Sequence, residues 1–501
     1  MKLNLVGHDY KYAVEQIMLA LFSREKPDYS SDHSECSDEL FATSQLRIGE
    51  KYAQAITLIR CGDKVSRGAA RIGRDKLTGK LLTDRLLQRI IKQSFYRASL
   101  DFMEVPPVWG SLTGIRPAHI ASSALDAGMN RASAIKMLTR DYYVSPERAG
   151  ICVQAAQTSL ALKSALEPSD VALYVGIPFC PTRCAYCSFV SNSVEKSFAL
   201  IEPFVRTLLL EIDAAARMAR SLGLRVIALY IGGGTPTSLP EESLESIMTA
   251  LKTSFDLSHL QEYTVEAGRP DTITAQKLEI ITRLGAGRVC VNPQSLSRDV
   301  LSAIGRRHTP EEALEAVRLV RRVGAALNMD VIAGLPGDTP EGFRQTLDKV
   351  LGLRPENITV HTLSLKKGSR IMTEGTAIPD NTDVSGMLGY ASLRLRESGF
   401  APYYLYRQKF TSGGFENTGW SQPGHEGVYN ICMMEELCTV LALGGGGVTK
   451  LVAPDGRIER IFNAKYPREY IMKAEGMADK FEKVKRFYLE ESSCHIHTMS
   501  I

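Results

Sequence analysis

DVALYVGIPFCPTRCAYCSF, residues 170–189, runs a short apolar segment straight into three cysteines spaced within eight positions. The segment up to Pro178 is rich in β-branched residues and apolar on both faces, the pattern of a buried parallel strand. The same signature returns in RVIALYIGG (225–233), EYTVEAG (262–268), RVCVNPQ (288–294), NMDVIAGLP (328–336) and NITVHTLSL (357–365). Helical patterns lie between them, among them PFVRTLLLEIDAAARMARSL (203–222) and PEEALEAVRLVRRVG (310–324). The second opens on Thr309 and Pro310, a capping residue followed by a first-turn proline. Six βα units at this spacing predict an α/β fold, a partial (β/α)6 TIM-like barrel left open on one side. In such folds ligands gather at the C-terminal ends of the strands.

Cys180, Cys184 and Cys187 sit just past the first of those ends. Thiolates are the ligands of iron–sulfur clusters, and three on one loop wrap three corners of a cube, leaving the fourth iron open to a cofactor or substrate. The alternative, structural zinc, calls for a fourth Cys or His, usually in a second paired knuckle. The next cysteine, Cys290, falls inside an apparent buried strand. The expectation is therefore a [4Fe–4S] cluster on Cys180, Cys184 and Cys187. Most of the remaining cysteines read as small hydrophobes in apolar patterns.

A chain of 501 residues predicts two to three domains. The strand–helix rhythm occupies 166–370, after a linker-like SALEPSD (164–170). Residues 1–165 form an added α+β N-terminal domain of unassigned role, helical from about residue 81. Residues 371–501 form a smaller C-terminal region expected to cap the substrate: a helix near 383–398, an aromatic and glycine-rich stretch, and a helical tail. Sixty basic against 56 acidic residues is too even a balance for a nucleic-acid footprint, so no nucleic-acid partner is expected. No run approaches the roughly 18 apolar residues of a membrane span, and MKLNLVGHDYKYAVEQ meets polar residues too early for a signal peptide. A cytoplasmic protein with no membrane partner is expected.

YVGIPFCPTRCAYCSF resembles the signature of the radical S-adenosylmethionine (SAM) superfamily, in its oxygen-independent coproporphyrinogen III oxidase branch. Tyr174, the IPFC run and Tyr186 carry that likeness. The strings NPQSL, HTLSLKKGSR, PYYLYRQK and FENTGWSQPGHEGVYN resemble the HemZ type within it, and the likeness extends over about 165–450. It implies SAM as a second cofactor and Tyr174 as a catalytic residue with the three cysteines. Tyr186 and Phe189 would flank the cofactors, and Gly233, Gly234 and Thr235 of the GGGTP run would hold the methionine end of SAM. Glu266, Gln294, Arg306 and Asp330 align with the family's SAM contacts. Read by themselves, glycines let a ligand approach the backbone and free N–H groups accept a carboxylate, although an ordinary strand-to-helix turn is the default. Glu266 and Asp330 stand in apolar strand runs, where a charge needs a partner or a ligand.

The implied reaction is anaerobic oxidative decarboxylation of coproporphyrinogen III to protoporphyrinogen IX by a SAM-derived 5′-deoxyadenosyl radical, in heme and porphyrin biosynthesis. A tetrapyrrole substrate and an electron donor such as flavodoxin or ferredoxin follow from it. Another radical SAM reaction on a tetrapyrrole and a heme-binding chaperone are the alternatives. Pro402–Lys409, followed by Phe415, Trp420 and Tyr429, offers rings for a flat macrocycle, with Arg407 and Lys409 for its propionates. Packing on the barrel explains the same residues equally well. Gly444–Gly447 reads as a tight turn ahead of a phosphate cradle, and the Cys494–His497 tail as a frayed end ahead of a metal site. The chain departs from the family at Gly176, where His is usual, and at Phe189, where the oxidases often carry a further Cys. It also lacks any His-Asn pair of the kind the family's heme chaperones carry.

Overall fold

The computed structural model describes residues 1–22, 25–29, 39–187, 192–365, 369–408 and 412–498. The chain divides into two compact units, Met1–Gln154 with Tyr406–Glu416, and Ala155–Leu405 with Asn417–Ile501.

All six expected strands form in the second unit: Asp170–Ile177, Arg225–Gly233, Glu262–Glu266, Arg288–Cys290, Ala326–Ala333 and Asn357–Thr362. They are hydrogen-bonded in chain order, every pair parallel, as right-handed βα crossovers require. Burial on both faces explains their unbroken apolar runs; seven of the nine residues of the second strand from Val226 on are buried. The intervening helix Ile201–Ser221 buries a stripe that includes Phe204, Leu208, Ile212 and Ala215. Pro310–Arg322 begins with a complete capping box, in which Thr309 N–H donates to Glu312 Oε2 at 2.6 Å and Glu312 N–H to Thr309 Oγ1 at 3.2 Å.

Apart from Tyr406–Glu416, residues 371–501 fall in the second unit, and strands among them lengthen this sheet at both ends. Glu416–Ser421 joins the sixth strand antiparallel, pairing Thr418 with Val360. Thr439–Gly444 adds a further parallel strand beside the first, in register from Thr439 opposite Val171 to Gly444 opposite Gly176. Two antiparallel strands, Val448–Val452 and Ile458–Phe462, complete that edge. Among the described residues the sheet ends on edge strands and does not close. A buried carboxylate, Glu211, anchors the added edge: it accepts Gly444 N–H at 2.7 Å, Lys480 Nζ at 2.8 Å, Asn463 Nδ2 at 3.0 Å and the Tyr470 hydroxyl. Lys480 lies on the C-terminal helix Met477–Thr498, which this ion pair ties down.

The first unit holds a four-stranded sheet in the order Lys2–Val6, Phe41–Ile48, Tyr52–Cys61, Lys64–Gly73. The first pair is parallel across helix Lys11–Leu21, and the other pairs are antiparallel hairpins. Alternation sends Leu3, Leu46, Ile59 and Ile72 into a core with Ile17, Met18, Ile90 and Phe95 of the two flanking helices. Helices Ala118–Asp126, Arg131–Tyr142 and Pro146–Ala165 follow. Among the described residues no helix is long and apolar enough to cross a membrane.

Candidate active site at the strand ends

The first strand stops at Ile177, and Pro178 turns the chain into Phe179–Cys180, which pairs with Asn192–Ser193. The cysteine loop is pinned by Ala185 N–H to Ile304 O at 2.9 Å and turned by Cys187 N–H to Cys184 O at 3.1 Å. Two buried arginines lean on it. Arg269 Nη1 lies 3.7 Å from Cys184 Sγ and 3.1 Å from Thr182 Oγ1, while its Nε meets Asp271 Oδ1 at 3.1 Å. Arg306 donates to Tyr186 OH at 3.0 Å, Asn292 O at 2.7 Å and Gly268 O at 3.1 Å. Cys180 Sγ lies 3.5 Å from Thr235 Oγ1. Ligating cysteines must be deprotonated, so two guanidiniums at the cysteine loop, both near Cys184, are the charges an anionic cluster would need. Among the described residues no three His, Cys, Asp or Glu side chains converge to hold one metal ion. The thiolates of a four-iron cube bind three different irons and share no such point. Phe189 lies outside the described residues.

The glycine run ends the second strand against this loop. Gly234 N–H donates to Ile177 O and Thr235 N–H to Phe179 O, each at 2.7 Å. These amides therefore have partners within the chain, in place of the anion-accepting role read from the sequence. A Cβ on Gly234 would overlap Phe179 O, so this glycine permits two backbones to close on one another.

Glu266 ends the third strand and Asp330 lies on the fifth. Tyr230 OH donates to Glu266 Oε1 at 2.7 Å. Burial is the chief reason the Glu266 carboxyl is pushed up to about 7; the Asp330 charge adds to it, while Tyr230, Gly233 and His361 oppose it. Asp330 Oδ1 accepts Asn328 Nδ2 at 2.9 Å, and Oδ2 lies 3.5 Å from His361 Nε2 on the sixth strand. Gln294 holds φ of +66°, a strained setting for a side-chain-bearing residue. Its N–H to Asp330 O and its O to Ile332 N–H, both 3.0 Å, fix it there, and Oε1 is buried without a partner. Asn292 Oδ1 and Asn417 Nδ2 are also buried and unpartnered. Such orphaned groups beside Glu266 and Asp330 fit a polar, hydroxyl- and amine-bearing ligand. Tyr174, Tyr230 and Tyr429 stack beside them, with Tyr230 and Tyr429 4.4 Å apart and Tyr174 6.0 Å from Tyr429. Burial raises all three phenols, keeping them neutral.

Arg269, Tyr230, His361 and Asn417 were not picked out from the sequence. Arg269 had a usable signal, a charge immediately after a strand end in EAGRP; a tyrosine or histidine inside an apolar strand has none. Arg407, read as a propionate partner, belongs to the first unit and is buried there. Its guanidinium donates to Gly414 O at 2.7 Å and to Leu112 O and lies 5.3 Å over the Trp109 ring; burial lowers it to about 10. All of that engages it in packing, a correction to the substrate reading. Tyr403, Tyr404 and Trp420 are likewise core residues. Lys409 and the side chains of Cys494, His495 and His497 lie outside the described residues. Gly444–Gly447 packs on the first strand: Gly445 N–H donates to Gly176 O at 3.0 Å.

A parallel barrel that carries a three-cysteine loop at its first strand end defines a radical SAM protein, and a family model described as the radical SAM superfamily matches residues 174–350. The chain is 39% identical over 391 residues to the oxygen-independent coproporphyrinogen-III oxidase-like protein HemZ of Bacillus subtilis, covering 76% of this chain and 77% of that protein. It therefore belongs to the HemZ family. It is also 26% identical over 302 residues to the heme chaperone HemW of Escherichia coli, covering 60% of this chain and 75% of that protein. The solved coproporphyrinogen III oxidase HemN from Escherichia coli shares the fold, with a TM-score of 0.50 at 20% identity over 63% of this chain and 72% of that one. Membership of the superfamily implies a [4Fe–4S] cluster and SAM.

Proposed function

We propose that the chain carries out anaerobic oxidative decarboxylation of coproporphyrinogen III to protoporphyrinogen IX, taking one electron per propionate from a flavodoxin- or ferredoxin-type donor and passing the electron released with each carbon dioxide to an acceptor. The observation that carries this reading is the cysteine loop at the end of the first strand, with Cys180 against Thr235 past the end of the second, in a chain whose neighbouring strands bring Glu266 and Asp330 together and which has these relatives. A cluster with SAM supplies, when bound, a 5′-deoxyadenosyl radical able to take a hydrogen atom from a propionate side chain.

The chain's own residues do the rest. Cys180, Cys184 and Cys187 provide thiolates, and Arg269 and Arg306 balance their charge. Glu266, Asp330 and Gln294 present oxygens to the hydroxyl and amine groups of SAM. Tyr174, Tyr230 and Tyr429 wall the site with neutral rings and exclude water. The test is mass spectrometry on anaerobically reconstituted protein with SAM, a strong reductant and coproporphyrinogen III. Formation of 5′-deoxyadenosine with two successive carboxyl losses, both abolished in Cys184→Ala, is the expected result. Deoxyadenosine without decarboxylation points to another reaction on a tetrapyrrole. The HemW likeness favours a second reading, a heme chaperone, and tight heme binding with neither product would support it.

A further inference from the structure

The protonation of His361 follows from its neighbours. The antiparallel rung joining Val360 to Thr418 brings His361 beside Asn417. Asn417 Oδ1 accepts the Thr362 N–H at 3.0 Å, so that atom is the amide oxygen. Ring Nδ1 lies 3.2 Å from the same oxygen and must carry a hydrogen to bond it. On the other side Nε2 lies 3.5 Å from Asp330 Oδ2. With a hydrogen on Nδ1 alone, the ring would turn a lone pair toward a carboxylate; a second hydrogen makes the contact an ion pair. The charged groups facing the ring are Asp330 from the fifth strand and Glu266 from the third. Burial opposes the charge, but Asp330, Asn417 and Glu266 outweigh it and hold the ring above its usual range.

Asp330 is thus gripped at both oxygens, by Asn328 on Oδ1 and by His361 on Oδ2. Without the imidazolium, two carboxylates, Asp330 and Glu266, would face each other in a buried site with their mutual repulsion less offset. We propose that His361 is a positioning residue of this site: as an imidazolium clamped between Asn417 and Asp330, it holds the Asp330 carboxylate aimed at the hydroxyl and ammonium donors of SAM. The ligand half of this proposal rests on the reading of Asp330 as a SAM contact; the protonation half does not.

The full chain, cluster-reconstituted without oxygen and labelled with 15N-histidine, reports both ring nitrogens by long-range 1H–15N correlation, with His361 assigned by its loss in His361→Gln. At about pH 7.5, roughly one unit above the pKa of a free histidine, both nitrogens should be protonated in the wild type and only Nδ1 in Asp330→Asn. A neutral ring in the wild type, or one protonated at Nε2 alone, overturns the proposal. Calorimetric titration with SAM should show binding about tenfold weaker in His361→Gln and in Asp330→Asn, with no further loss in the double variant. Additive losses, or wild-type affinity in His361→Gln beside weakened binding in Asp330→Asn, overturn the positioning role. An imidazolium that persists in Asp330→Asn overturns the protonation half; wild-type affinity in Asp330→Asn, with the wild-type ring doubly protonated, overturns the SAM contact itself and with it the ligand half of the proposal.

Discussion

Replacing Gly234 with alanine would place a methyl group against main chain that has little room to move. Its Cβ would overlap Phe179 O and lie 2.8 Å from Ile177 O and 2.9 Å from the Phe179 carbonyl carbon, closer than real Cβ atoms come. The same two carbonyls accept the N–H groups of Gly234 and Thr235, so any shift that relieves the overlap loosens both hydrogen bonds. Overpacking costs about 1–3 kcal/mol, and each loosened bond about 0.5–1.5 kcal/mol, so the variant should lose on the order of 2–6 kcal/mol. Because Phe179 leads directly into Cys180, the cluster loop moves with it. Urea denaturation of the apo chain should show the lost stability, and iron and sulfide per chain after anaerobic reconstitution should fall. Gly389→Ala is the control: it lies within helix Asn381–Glu397, where an added Cβ meets nothing within 4 Å. That change should stabilise the chain by about 0.5–1 kcal/mol. Wild-type stability and full iron in Gly234→Ala would refute the claim that this backbone contact holds the loop.

Three other variants test separate parts of the structure. Glu266 sits at about 7 against the 4.5 usual for Glu, so between those values the folded chain binds more protons than the unfolded one and stability falls as pH rises. The fall should be on the order of 3 kcal/mol and vanish in Glu266→Gln; equal urea midpoints for variant and wild type across about pH 5 to 8 would show the carboxyl is not so perturbed. Glu211→Ala strands the buried Lys480 charge and should cost about 3–5 kcal/mol, part of it recovered in Glu211→Ala/Lys480→Met, read by thermal unfolding. Arg407→Ala should destabilise the first unit and alter Trp109 fluorescence while leaving porphyrinogen affinity unchanged; a weakened affinity in a folded variant would restore the propionate role.

The six barrel strands were legible because burial on both faces writes the same apolar run each time, and the helices between them set a regular spacing. The seventh parallel strand, TVLALG at 439–444, has the same composition but is followed by a hairpin, so it broke no rhythm and announced no unit. Cysteine spacing and position after a strand gave the cluster loop directly, since chemistry and location lie within one stretch. Side chains whose meaning depends on a distant neighbour were not legible. His361 acquires its charge from Asn417 and Asp330, and Arg407 is engaged by Leu112, Gly414 and Trp109.

Glycines show the same limit from the other side, because a run of them says that a Cβ is not tolerated without saying what occupies the space. At Gly234 it is the chain's own loop. At Gly176, where the family usually carries His, a Cβ would stand 2.6 Å from Gly445 O, while one on Gly444, itself at φ of +79°, would overlap Gly176 O. The two strands approach so closely that each requires glycine in the other. The departure at Gly176 and the first two glycines of the Gly444–Gly447 turn are therefore one feature, a matched contact between the first strand and the added one. A histidine at position 176 would need Gly444 and Gly445 to retreat, and with them Gly444 N–H from Glu211. What stood in the sequence as a departure from the family pattern is accounted for by the packing of an extra strand.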